Sequence, residues 1–231
     1  MNMTQAILLS TILATATPLF AEDEKPDTTL CEQGKQQSPV SLGKASKATL
    51  PALVADYKDV ELTVERKAGL FAIHYPEGSE LTIGDKKYHL SRITFHSPSE
   101  HSLRGQKFDL EVQMEHKDAD GKIAVVSLMM KKGFSNFALN TLVSKIPQTD
   151  TTEPTIISDV FFSPQTLLPA DLGYYTYTGS LTTPPCTEDV QWYVLKSYVE
   201  LGKDQLAAFK KVLGNNARAI QPQGDRKILQ N

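Results

Sequence analysis

The sequence has no internal repeat, no GxxxxGK[ST] phosphate loop and no GxGxxG fingerprint, so the common nucleotide-binding architectures find no support. It also lacks a basic excess. Twenty-four Lys and Arg face twenty-seven Asp and Glu across 231 residues, a formal net charge of −3. Nothing in that balance points to nucleic acid or to an anionic membrane surface. After residue 21 no apolar run is long enough to be an integral membrane span. Histidine is sparse at five residues and cysteine at two, which leaves an imidazole-based metal site few candidates.

The first stretch, "MNMTQAILLSTILATATPLFAEDEKP", reads as a secretory signal over residues 1–21. An apolar segment from Ala6 ends at "LFA", and cleavage after Ala21 satisfies the small-residue rule, although no Lys or Arg precedes the segment. The expectation is a protein exported to the periplasm or beyond. Cys31 and Cys186 agree with an oxidising compartment and a disulfide; two unrelated buried thiols remain the alternative.

From Leu53 onward short runs alternate in polarity: "VELTVER", "LFAIHYP", "RITFH", "FDLEVQMEHK", "KIAVVSLMMKKG" and "DVQWYVLKSY". Turn signals such as "PEGS", "IGDK" and "DADGK" separate them. Helical spacing occurs only in "NTLVSKIPQ" and in "GKDQLAAFKKVLG", where Leu206, Phe209 and Leu213 recur and Gly214 supplies a stop. This pattern predicts one mainly β domain over residues 22–231, built on a large sheet with a few short helices. Alternate residues of a strand share a face, so Thr94 pairs in direction with His96, and Glu111 with Gln113 and Glu115. Such a polar cluster is either a site or a solvated sheet face.

Four blocks carry a resemblance: "QQSPV", "FHSPSEH" with "LRGQKFDLEVQ", "YYTYTGSLTTPPCTEDVQWYVLK", and "NNARAIQP" followed by Arg226. In this order the chain resembles the α-class carbonic anhydrases over most of its length. The resemblance implies a twisted, mostly antiparallel ten-stranded sheet with a conical cavity on one face, and a Cys31–Cys186 bridge like the family's own. It aligns Glu111 with the glutamate that orients a zinc-bound imidazole. Thr182 aligns with the threonine that holds zinc-bound hydroxide, and Glu100 with the carboxylate behind it. Val125, Leu181, Val190 and Trp192 align with the apolar wall that receives carbon dioxide, and His101 with a structural histidine.

The departures bear on function. The family holds zinc through three histidines; here the aligned positions are Thr94, His96 and Gln113, so His96 is the only one retained. Leu70, after Gly69, stands where the proton-shuttle histidine is placed, and the N-terminal W-G-Y segment is missing. A hydroxyl and an amide are weak zinc ligands, so no cofactor is expected, and no catalytic residue is assigned. A displaced metal site from His96, Glu111 and Glu115 is the one alternative centre, since His74, His89 and His116 fall outside the ligand positions. Metal-free hydrolysis by Glu100, Glu111 or Glu115 lacks a nucleophile–base pair.

The sequence is therefore read as an exported, zinc-free binding or interaction module without carbonate dehydratase activity. An active carbonic anhydrase with an unusual metal shell, hydrating carbon dioxide to bicarbonate, is the alternative. The ligand, protein or glycan it would bind is not named by the sequence. The basic clusters Lys44–Lys47 and Lys131–Gly133 are candidate contacts for an acidic glycan, or simply solvated faces.

Overall fold

The computed structural model describes residues 27–231; the expected signal over 1–21 lies outside them. Thirteen strands form one sheet: β1 (Ser46–Lys47), β2 (Leu53–Asp56), β3 (Val60–Lys67), β4 (Leu70–His74), β5 (Glu80–Ile83), β6 (Lys86–His96), β7 (Leu110–Lys117), β8 (Ile123–Lys132), β9 (Thr155–Phe162), β10 (Tyr174–Ser180), β11 (Glu188–Leu195), β12 (Val199–Leu201) and β13 (Leu229–Gln230). The main path runs β1-β13-β10-β11-β8-β7-β6-β4-β3-β9. Among the described residues the pairings are antiparallel except β1 with β13 and β8 with both β11 and β12. The sheet is mixed and larger than the ten strands implied by resemblance, partly because two-residue strands at its margin are included.

Strand parity sorts the side chains into two cores. Phe71, Ile73, Ile93, Phe95, Val112, Met114, Val126 and Leu128 face one way and are buried. Helices α2 (Phe137–Lys145) and α3 (Lys203–Leu213) cover that face through Leu139, Leu142, Leu206, Phe209 and Leu213. The spacing of Leu206, Phe209 and Leu213 puts all three on one side of α3. Phe209 stacks on Phe95, ring centroids 5.1 Å apart, and Phe95 on Phe71 at 5.2 Å. The opposite face carries Val125, Met129, Val190, Trp192 and Val194, closed over by Val40, Leu42 and Ile228 from the chain's ends.

Local chemistry sets the helix limits. The Gly214 N–H donates to Lys210 O at φ 62°, a conformation that suits glycine. Helix α2 begins three residues before the expected "NTLVSKIPQ", because the Asn136 side chain caps it by accepting from the Ala138 N–H at 3.0 Å. It stops at Lys145, since Pro147 holds Ile146 extended. Helix α1 (Thr29–Gln33) is a short N-terminal turn that carries Cys31. No helix among the described residues is long and apolar enough to cross a membrane.

Cys31 is bonded to Cys186, closing a loop of 155 residues. The chain-entropy relation puts the stabilisation from such a closure at roughly 4–5 kcal/mol. Thiol titration of the unfolded, unreduced protein should therefore find no free thiol, and reduction should lower the thermal midpoint. Two free thiols in protein made in an oxidising compartment would contradict the bridge.

Candidate functional site

The site is built by the register of three neighbouring strands. Thr94 lies opposite Gln113, His96 opposite Glu111 and Arg92 opposite Glu115. On the far side of β7, Gln113 faces Ser127, and Glu115 faces Val125. Paired residues share a face, so these side chains converge beside the Val125–Trp192 core. Two loops complete the cluster: residues 97–103 after β6 bring Glu100 and His101, and residues after β10 bring Leu181 and Thr182.

Glu111 is the hub. It is fully buried and accepts from the N–H groups of Glu100 (2.7 Å) and His101 (2.9 Å). It also accepts from His101 Nδ1 (2.8 Å), Gln113 Nε2 (3.0 Å) and Ser127 Oγ (2.8 Å). Burial alone would raise its pKa, but His101 beside it and the hydrogen bonds to His101 bring it down to about 2. Glu100 is tied in the same way. It accepts from Gln113 Nε2 at 2.8 Å and from the Arg218 N–H at 2.8 Å.

Gln113 is fully engaged. Its amide hydrogens go to Glu100 and Glu111, and its carbonyl oxygen accepts from the Thr182 hydroxyl at 3.3 Å. Thr94 Oγ1 lies 3.3 Å from His96 Nε2. His96 Nδ1 is 3.2 Å from Glu100 Oε1, close enough for an ion pair but outside hydrogen-bond geometry. Burial pulls the His96 pKa down, yet Glu100, with Glu111 and Glu115 behind it, raises it overall. Glu100 is pushed up by burial and brought below its usual range chiefly by His96. The pair therefore favours its ionised form.

These residues do not fit a zinc ion. Catalytic zinc takes three protein ligands from histidine, cysteine and carboxylates. Here two of the three aligned positions offer neutral oxygens, and Gln113 has already committed both ends of its amide. Among the described residues no group of three or more His, Cys, Asp or Glu side chains is arranged to hold a metal. The displaced arrangement of His96, Glu111 and Glu115 is not assembled either, because Glu111 is saturated and Glu115 accepts from Arg92 Nη2 at 2.7 Å. The floor is also closed: Thr94 and His96 are each 1% exposed and Gln113 3%.

The remaining expected residues are scattered around this cluster. Val125, Val190 and Trp192 are wholly buried, with the Trp192 indole donating to Ser180 O at 3.0 Å, and Leu181 is half-buried against them. Leu70 opens β4 after a two-residue turn, opposite Lys67. His116 is buried on the opposite face, 2.9 Å from the Tyr57 hydroxyl, and His74 Nε2 sits 2.7 Å from Glu65. Sequence reading gave no role to Arg92, Asn216 or Arg218. Arg218 joins Glu100 to the N-terminal segment through Gln37 Oε1 (2.8 Å) and the carbonyls of Ser38 and Cys31 (2.6 Å each). Its position in "NNARAIQP" was the available signal.

The profile of the eukaryotic-type carbonic anhydrases matches residues 23–231. A carbonic anhydrase of Neisseria gonorrhoeae is 35% identical over 203 residues, covering 87% of this chain and 79% of that protein. Dioscorin DB3L of Dioscorea polystachya is 35% identical over 214 residues, covering 88% and 78%. The solved α-carbonic anhydrase of Photobacterium profundum superposes with a TM-score of 0.81 at 33% identity, covering 87% of this chain and 92% of that one.

Glu111→Gln should cost roughly 3–5 kcal/mol at neutral pH, because it breaks a buried charge network. The Glu111 pKa is depressed to about 2 in the folded protein. Its contribution is thus complete above the unfolded carboxylate range near pH 4.5 and is lost as pH falls towards 2. Urea unfolding should show the gap between wild type and variant narrowing over that interval. A gap that stays constant from pH 7 to pH 3 would remove Glu111 from its central role.

Proposed function

The chain belongs to the eukaryotic-type carbonic anhydrase family, and we propose that within it the protein is an exported, zinc-free binding module that does not hydrate carbon dioxide. The observation that carries this reading is Gln113. Its amide is bonded at both ends, to Glu100 and Glu111 through nitrogen and to Thr182 through oxygen. A ligating imidazole at that position would leave an open coordination site; the amide satisfies its neighbours and leaves none.

Without a metal ion, water stays a far weaker acid than metal-bound water and supplies no hydroxide at neutral pH, and none of these side chains replaces that Lewis acid. Leu70 offers no group for proton transfer. Export is supported by the signal-like residues 1–21 and by the Cys31–Cys186 bridge, which suits an oxidising compartment. The competing reading, an active enzyme with an unusual metal shell, draws on the retained Glu100, Glu111 and Thr182. Their mutual hydrogen bonding accounts for them equally well.

Elemental analysis of protein purified without chelator should find clearly less than one zinc per chain, with carbon dioxide hydration at background in a stopped-flow assay. Stoichiometric zinc with sulfonamide-sensitive activity would overturn the proposal.

Ligand restoration provides a second test. The register already aims positions 94, 96 and 113 at one place, so Thr94→His with Gln113→His should bind zinc in isothermal titration and gain measurable hydration activity. Either substitution alone should do much less. Adding Leu70→His should raise turnover further. A folded double variant that takes up no zinc would show that the alignment of Thr94 and Gln113 with ligand positions is wrong.

A further inference from the structure

A concavity lies outside the buried polar cluster, between the 97–109 loop, the end of β8, Tyr198 and the C-terminal part of α3, with a volume of about 500 Å³. Lys107, Lys131 and Lys210 line it together with Asp109, Phe108 and Tyr198. The basic cluster singled out at Lys131–Gly133 thus contributes to a cavity wall.

The charge of this cavity is unbalanced. No carboxylate of the described residues lies within ion-pair distance of any of the three ammonium groups. Asp109 spends one oxygen on the Lys132 N–H at 2.8 Å. Glu200, the register partner of Lys131, turns instead to the Phe134 N–H at 3.0 Å. Three lysines against one aspartate leave an excess of two positive charges. Lys107 is fixed in place, its ammonium donating to Ser99 O at 2.8 Å and Glu100 O at 2.6 Å. Lys131 and Lys210 are exposed and have no such anchors.

The same cavity carries an aromatic wall. Phe108 and Tyr198 are tilted against each other with centroids 5.7 Å apart, and Tyr198 is 48% exposed. The Lys131 ammonium lies 5.9 Å from the Tyr198 ring centre. A cation held over a half-exposed ring, beside an open recess, suits a ligand that pairs a ring with anionic groups.

We propose that this cavity is a binding site for a small organic dianion bearing a ring, the ring against Phe108 and Tyr198 and the anionic groups towards Lys131 and Lys210. The site is separate from the Glu100–Glu111–Gln113 cluster and stands whether or not the protein holds zinc.

Isothermal titration of the whole mature protein at low salt tests it, with four probes: isophthalate, glucose 6-phosphate, glutarate and inorganic phosphate. At least one ring-bearing dianion should bind roughly threefold to tenfold more tightly than the ringless probe carrying the same anionic group. Preference for isophthalate identifies a flat aromatic acid as the ligand class, and preference for glucose 6-phosphate a phosphorylated sugar. Lys131→Gln with Lys210→Gln should weaken binding roughly tenfold, as expected for two exposed ion pairs lost together. Tyr198→Ala should remove the ring preference while phosphate binding persists. Lys44→Gln with Lys47→Gln, in the other basic cluster, should change nothing. Equal affinity for ring-bearing and ringless probes, or wild-type affinity in a folded Lys131/Lys210 double variant, would overturn the proposal. Zinc measured on the same samples keeps this result apart from the metal question.

Discussion

Glu111 sets the terms for the surrounding structure, because a carboxylate withdrawn from water must find donors for its oxygens or lose its charge. It finds five, from a strand neighbour, a facing strand and the 97–103 loop. Together they constrain three elements. The two backbone N–H groups fold the loop after β6 back over the sheet. Ser127 requires the β7/β8 register, and Gln113 requires the amide to point inward. Slipping β7 by one residue would turn Glu111, Gln113 and Glu115 onto the helix-covered face, where Val112 and Met114 now sit.

From this hub the order extends to both ends of the chain. Glu100, placed by the loop, accepts from Arg218, and the Arg218 guanidinium reaches Gln37, Ser38 and Cys31. Cys31 is in turn bridged to Cys186, next to the loop that carries Thr182. The N-terminal segment, the "TTPPC" loop and the segment around Arg218 after α3 are therefore held through the site as well as through the Val40–Trp192 core. An apolar core fixes the faces; the polar network fixes which segments meet.

Much of this was readable from residue order. Alternation in "RITFH" and "DLEVQME" placed Thr94, His96, Glu111 and Gln113 on one face, because a strand repeats every two residues regardless of what it pairs with. Spacing likewise placed Leu206, Phe209 and Leu213 on one side of a helix. The partners of Arg92 and Arg218 were not readable. Arg92 meets Glu115 across 23 positions and Arg218 meets Gln37 across 181, distances over which local periodicity carries no information. The early start of α2 escaped for a different reason: Asn136 acts as a cap only because its own backbone is extended. The lysine-lined cavity joins residues from four separate stretches, so the short run Lys131–Gly133 hinted at charge without showing a concavity.

The chemistry of the central cluster turns on the difference between an imidazole and an amide. A neutral imidazole that ligates a metal through one nitrogen has a single N–H left to donate, enough for one carboxylate. The Gln113 amide has two, and in this fold they span both Glu100 and Glu111. Its oxygen then takes the Thr182 hydroxyl, so that hydroxyl is turned towards the floor of the site. The network closes on itself: two acids share one donor group, and the Thr182 hydroxyl meets the amide oxygen. Changing Gln113 alone removes three hydrogen bonds without supplying a second new ligand at position 94, and changing Thr94 alone leaves the amide bonded in place. Under the proposed alignment of positions 94 and 113 with ligand positions, an open metal site would therefore require both changes together.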